Sequence, residues 1–182
     1  MAWIKTIDED NATGFLKTHY KKYGDPFEGV DNILKIQSLN PDSLRRHYDL
    51  YQHLTTGKSG LSRMQREMIA IVVSKINGCD YGVRHHGKSL FQLTKNPFLI
   101  KAIEEDFREA DVPQKDIAML DYVKKLTAEP SKIEKADIDA LRSAGFRDAD
   151  ILDIAQVAAY HSYANRLASG LGVELESHME NE

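Results

Sequence analysis

One run, Met68-Ile69-Ala70-Ile71-Val72-Val73, limits the architecture more than any other stretch of the chain. Its β-branched residues would suit a strand. The helical pattern, however, continues from Arg63 to Ile76 and no neighbouring segment reads as a partner strand, so the run is read as helix. A helix that is apolar on most of its circumference is buried on all sides. The stretch Ile151-Leu152-Asp153-Ile154-Ala155-Gln156-Val157-Ala158-Ala159 has the same character, and the two are expected to cross at the centre of a bundle. Their approaches also look alike: Leu61-Ser62-x-x-x-x-Glu67 precedes the first and Phe146-Arg147-x-x-x-Ile151 the second. That parallel suggests a weak internal repeat, a duplicated helix pair.

The remaining pattern is helical too, and its stops are well marked. Gly14 to Tyr23 reads as a first helix ending at Gly24-Asp25-Pro26, and Val30 to Leu39 as a second. Asn40-Pro41 supplies a cap and a first-turn proline for a helix through Leu44, Tyr48, Tyr51 and Leu54, stopped by Gly57 and Gly60. Ser62-x-x-Gln65 has the form of a capping box for the helix to Ile76, which Gly78 ends. A helix from about Tyr81 to Leu93 follows, and Asn96-Pro97 opens another through Ile103. Pro113 begins a helix carrying Ile117, Leu120, Tyr122 and Val123, and Ser131-x-x-Glu134 opens the piece that ends at Ala144-Gly145. The last long helix is placed at about Asp148 to Ser169, with a frayed tail from Glu174 to Glu182. The fold class expected is therefore all-α. One domain is expected over residues 1–182, with 1–60 as its N-terminal helical part and 61–172 as its motif-bearing core.

Composition excludes several partners. The chain carries 24 basic and 28 acidic residues, a net charge of -4, which gives no electrostatic reason to bind nucleic acid or an anionic membrane. No apolar run approaches the roughly 18 residues a membrane span needs. Met1-Ala2-Trp3-Ile4-Lys5 reads as a non-exported start, and a single cysteine rules out an intrachain disulfide, so a cytoplasmic location is expected. Gly-rich phosphate-binding spacing and haem-attachment patterns are both missing, so no cofactor is expected.

Three ionisable residues could carry chemistry: Glu67, Cys79 and His86. Glu67 stands just before the buried run, where an unpaired carboxyl would have a raised pKa. Cys79 follows Gly78 and precedes a helix, and orphan N–H groups at a helix N-terminus favour thiolate. His86 lies four residues after Gly82, one turn away on the same face. Plain structural explanations also exist: packing for Cys79, a favourable first-turn acid for Glu67, and a solvated or core-edge position for one of the adjacent His85 and His86, with His85 the better fit. Cys79, His85, His86 and Glu67 match no zinc-site spacing, so no metal is expected. Tyr81, His85, Tyr160 and His161 are candidates to line a site, with Asn165 approaching from the second buried helix. Tyr20, Tyr23, Tyr48 and Tyr51, with the helix around Met119, are read chiefly as core packing.

The set Glu67, eleven residues, Cys79-Asp80-Tyr81-Gly82, three residues, His86 resembles the AhpD-like, or carboxymuconolactone decarboxylase-like, superfamily, in its peroxidase-related alkylhydroperoxidase-like branch. That family's motif has Cys-x-x-Cys at the centre. Leu61-Ser62-Arg63, Glu67-Met68-Ile69-Ala70, Asp150-Ile151-Leu152 and Asn165-Arg166-Leu167-Ala168-Ser169-Gly170 resemble it as well. The resemblance implies an AhpD-like helical bundle assembling as a dimer, trimer or hexamer. It also implies an antioxidant oxidoreductase in which the second cysteine attacks peroxide, the first resolves it, and Glu and His relay protons. Carried over, Glu67 and His86 are the relay, Cys79 is the resolving thiol, and Gly82 stands where the attacking thiol belongs. A glycine offers neither thiolate nor disulfide partner. Three functions therefore stay open: hydroperoxide reduction through Cys79 with an external thiol, a non-catalytic oligomeric scaffold or small-molecule binder, and acid–base catalysis on a small carbonyl or lactone compound.

Overall fold

The computed structural model describes residues 2–179, and among them all regular structure is helical, with no strand beyond a lone bridge between Asp25 and Gly29. The helices are α1 (Gly14–Tyr23), α2 (Asn32–Lys35), α3 (Pro41–Thr56), α4 (Arg63–Ile76), α5 (Asp80–Thr94), α6 (Pro97–Asp106), α7 (Gln114–Ala128), α8 (Lys135–Ser143) and α9 (Asp148–Leu171). They group into two compact units. One holds the residues up to His53 together with those from Arg166 onward, and the other is the continuous segment Leu54–Asn165.

In the first unit, Leu16, Tyr20 and Tyr23 of α1 close on Val30, Leu34 and Leu44. Tyr23 stacks on Tyr48 with centroids 4.0 Å apart, so these tyrosines serve packing. The second helix predicted from the sequence shrinks to α2, because the chain after Lys35 turns instead of continuing. Residues 174–179 are docked, unlike the frayed end predicted: the Asn32 backbone N–H donates to Glu176 Oε1 (2.7 Å) and Asn32 Nδ2 to the Glu174 carbonyl (3.1 Å). Positions 180–182 of that predicted tail, like Met1, lie outside the described residues.

The second unit is built round α4. Every residue from Arg66 to Ser74 is buried, as the apolar run required, and α5, α6 and α7 pack against it. Burial of a side chain such as Ile69 or Ile71 contributes about 1.5–3 kcal/mol. The capping box forms as its spacing predicts: the Gln65 N–H donates to Ser62 Oγ (3.1 Å) and the Ser62 N–H to Gln65 Oε1 (2.8 Å). Gln65 Nε2 then donates to Asp116 Oδ1 of α7 (2.6 Å), so one side chain both starts α4 and ties it to its neighbour. Ser62→Ala is expected to cost about 1 kcal/mol, seen as a lower urea midpoint with an unchanged slope. An unmoved midpoint would show that the cap contributes nothing. Buried Arg66 gathers the α3–α4 connection by donating to the carbonyls of Leu54 (3.4 Å), Gly57 (3.0 Å) and Leu61 (3.0 Å).

Two expectations change here. The start of α8 is Glu134, whose N–H donates to Asp137 Oδ2 (2.7 Å), while Ser131 sits in the preceding turn Pro130–Lys132. And α9 is not buried all round. Ile154 and Val157 face inward, but Leu152 is 57% exposed and Gln156 and Ala159 share its outward stripe. No helix among the described residues is long and apolar enough to cross a membrane.

Candidate active site

A tight corner positions the site. At the end of α4, Gly78 adopts φ +65°, a left-handed conformation that a glycine reaches at little cost. This lets the Cys79 N–H reach back to the Ser74 carbonyl (2.9 Å) and the Gly78 N–H to that of Lys75 (3.2 Å), the glycine-terminated helix end known as a Schellman motif. Cys79 then caps α5, its carbonyl accepting from the Val83 N–H (3.1 Å). Two residues, Asn77 and Gly78, thus fold α5 back against α4 and set the thiol in the bend. Cys79 is a free thiol and 3% exposed.

Two polar layers interrupt the apolar interior between α4, α5 and α9. In the first, Glu67 of α4 is fully buried and bound on both oxygens. Arg63 Nε donates to Oε1 (2.5 Å), and His86 Nδ1 lies 2.7 Å from Oε2. The Nδ1–H is therefore directed at the carboxylate, leaving Nε2 as the nitrogen free to exchange a proton. His161 of α9 meets the His86 ring edge-on, centroids 4.5 Å apart. Burial pushes the Glu67 carboxyl up, but the hydrogen bond and charge of His86, with Arg63 adding to them, outweigh it and hold the group below its ordinary value. The raised pKa foreseen for an unpaired Glu67 is thereby reversed: the partners decide the sign.

In the second layer, Ser74 Oγ donates to Asn165 Oδ1 (3.2 Å), and both side chains lie against Gly82. A Cβ at position 82 would overlap Ser74 Oγ and come within 2.8 Å of Asn165 Oδ1 and 3.0 Å of Ser74 Cβ. The space that a side chain at 82 would need is already occupied. Ser74 falls seven residues after Glu67, two turns on along the same face of α4. His86 and Gly82 are one turn apart on α5, as are His161 and Asn165 on α9, so α5 and α9 run antiparallel along this seam.

Of the residues singled out from sequence, Glu67, His86 and His161 come together. Tyr160 packs edge-on against His161 (5.0 Å between centroids). Tyr81 and His85 stack on one another (4.3 Å between centroids), and of the adjacent histidines it is His86 that meets Glu67. Asn165 approaches Gly82, not Glu67. Sequence reasoning missed Arg63 and Ser74, although both carry a signal: four residues before Glu67 and seven after it on one helical face. Among the described residues no cluster of histidine, cysteine or carboxylate side chains is placed to hold a metal ion.

Residues 41–118 match the carboxymuconolactone decarboxylase family. Across 99% of the chain and 92% of the other, the structure is similar to that of an uncharacterized peroxidase-related protein from Silicibacter sp. TM1040, at 32% identity and a TM-score of 0.86. It is also similar to an alkylhydroperoxidase AhpD core protein, described as peroxidase-related, from Ralstonia eutropha JMP134. That match has 27% identity over 98% of this chain and 94% of the other, with a TM-score of 0.89. The debrominase Bmp8 shares the fold at 18% identity, covering 97% of this chain and 93% of its own, with a TM-score of 0.81. No curated protein matches the chain. With its all-helical bundle, a buried Glu67–His86 pair and one cysteine, the chain belongs to the carboxymuconolactone decarboxylase family, within the AhpD-like group of peroxidase-related proteins.

Proposed function

We propose that the protein reduces hydroperoxides through Cys79 alone, with an external thiol as reductant. The observation that carries this reading is the 2.7 Å contact between Glu67 and His86 inside an apolar core. A buried ion pair is a poor way to gain stability over well-packed apolar residues, so its presence favours a chemical role. His86 lies seven positions beyond Cys79, about 10 Å along the axis of α5, and the proposal places the substrate between the two.

In this scheme the Cys79 sulfur attacks the outer oxygen of ROOH. The S–O bond forms as O–O breaks, and sulfur gives up two electrons. The departing RO⁻ takes its proton through His86, with Glu67 holding the imidazole, giving ROH and a sulfenic acid on Cys79. An external thiol then attacks the sulfenic sulfur and releases water. A second external thiol attacks the external sulfur of the resulting mixed disulfide and restores Cys79, so the net reaction is ROOH + 2 R′SH → ROH + H₂O + R′SSR′.

Mass spectrometry after one equivalent of hydroperoxide, with a sulfenic acid trap present, is expected to find the trap on Cys79. An unmodified Cys79 in excess peroxide would sink the proposal. A second reading rests on the same Glu67–His86 contact: acid–base chemistry on a small carbonyl or lactone compound. Turnover of such a compound that survives Cys79→Ser and disappears in His86→Gln would select it.

A further inference from the structure

Helix α7 has two different faces. Met119, Leu120 and Val123 are fully buried, while Ala118, Asp121, Tyr122, Lys125 and Ala128 recur every three or four residues along the opposite face. That second face is the floor of a cavity of about 490 Å³, walled by Arg108 and by Asp137 and Ala140 of α8. The volume falls within the roughly 300–1,000 Å³ typical of small-molecule sites. None of the residues around it belongs to the Glu67 or the Gly82 layer, so the cavity stands apart from the hydroperoxide reading.

Two observations give this cavity a chemical preference. Tyr122 is 8% exposed and lines it, yet its hydroxyl makes no hydrogen bond to any described residue. A phenol this deeply enclosed usually has a partner. Burial, with the charge of Asp137 adding to it, raises the hydroxyl above its ordinary pKa, so at neutral pH it keeps its proton and acts as a donor. The second observation is charge. Asp121 is matched by Arg108 (2.7 Å), Asp137 by Lys125 (2.7 Å) and Glu129 by Lys132. Lys124 also lines the cavity, but it has no carboxylate partner among the described residues and lies 6.0 Å from the Phe107 ring centroid. One positive charge is left over.

We propose that this cavity binds a small monocarboxylate, whose oxygens accept from the Tyr122 hydroxyl and whose apolar body lies on Ala118, Ala128 and Ala140. Lys124 supplies the compensating charge. A dianion such as a phosphate monoester would bring two negative charges to one spare cation, beside the carboxylates of Asp121 and Asp137, and is disfavoured. A cation would meet Lys124 with every carboxylate already paired. The three alanines matter because a longer side chain at any of them would fill the space the ligand's body takes.

Fluorine NMR titration of the full chain with 4-fluorobenzoate tests this, with 4-fluorobenzyl alcohol and 4-fluorophenyl phosphate as the neutral and dianionic probes. Saturable binding of the benzoate is expected, at least about tenfold tighter than either of the others. Tyr122→Phe removes only the hydroxyl and is expected to weaken binding about tenfold, the effect of one hydrogen bond. Its melting temperature is expected not to fall, because the hydroxyl has no bond within the chain to lose. Lys124→Met is expected to weaken binding about threefold and to flatten its salt dependence. Ala140→Leu, which fills part of the cavity, is expected to abolish it. No saturable binding of 4-fluorobenzoate overturns the proposal. So does binding that Tyr122→Phe and Ala140→Leu leave unchanged, which would put the probe elsewhere on the molecule. Equal affinity for the alcohol or the phosphate would defeat the charge argument, and a much lower melting temperature in Tyr122→Phe would give the hydroxyl a structural role; either result overturns the proposal as well.

Discussion

Glu67→Gln is expected to fold and to consume hydroperoxide about 10²–10⁴ times more slowly than wild type, the range associated with loss of a positioned proton-transfer group. Glutamine keeps the shape of the side chain and one acceptor, but it cannot hold the His86 Nδ1–H and the Arg63 guanidinium with a shared negative charge. The imidazole loses the partner that fixes its tautomer. Steady-state assays of purified variants measure the effect, and unchanged turnover in Glu67→Gln would remove the relay from the mechanism. The same variant carries a pH signature. Because the folded state lowers the Glu67 pKa, its ionised form is favoured by folding. That contribution is complete above the ordinary carboxylate pKa and disappears as pH falls through the lower folded value. Urea unfolding at a series of pH values should therefore show wild type losing stability relative to Glu67→Gln on acidification. Parallel curves from neutrality to strong acid would contradict the assignment.

Gly82→Cys is expected to destabilise the protein by about 1–3 kcal/mol, the usual cost of forcing atoms into a filled core. For a chain of this size that lowers the melting temperature by about 2–12 °C. The cause is local: the new Cβ overlaps Ser74 Oγ and crowds Ser74 Cβ at 3.0 Å. Ser74→Ala in the same chain removes the nearest atom and is expected to restore part of the loss, leaving the contacts with Asn165 Oδ1 and Ser74 Cβ to be absorbed by a small shift of α5. Thermal unfolding of the single and double variants decides this, and a Gly82→Cys chain as stable as wild type would show that Ser74 gives way freely. The double variant also places a thiol one turn from His86. With a dihydrolipoyl donor it is expected to turn over hydroperoxide faster than wild type, if the paired Glu67 and His86 serve as the proposed relay.

Local signals made much of the fold readable. Ser62 and Gln65 announce the start of α4, Asn96 and Pro97 that of α6, and Gly78 the bend that carries Cys79. Two local signals compete before α8: Ser131-x-x-Glu134 has capping spacing, but Glu134 and Asp137 do the capping one turn later. The outward stripe of α9 escaped because leucine and alanine at 152 and 159 read as apolar whichever way they face. The Glu67–His86 pair was accessible because motif spacing encodes it. The contact of Ser74 with Asn165 spans 91 residues, and no local pattern reports which side chain fills the space opposite a glycine.

The docking of the Asn32 N–H onto Glu176 has a consequence for how the molecule is made. The two residues are 144 positions apart. Their unit is assembled from two distant pieces of chain, so α1 and α2 cannot be closed by their neighbours in sequence alone. The unit from Leu54 to Asn165 is, by contrast, one continuous piece of chain. The unit that holds α1 and α2 thus depends on a contact of high sequence separation, whose closure costs more chain entropy than local contacts do.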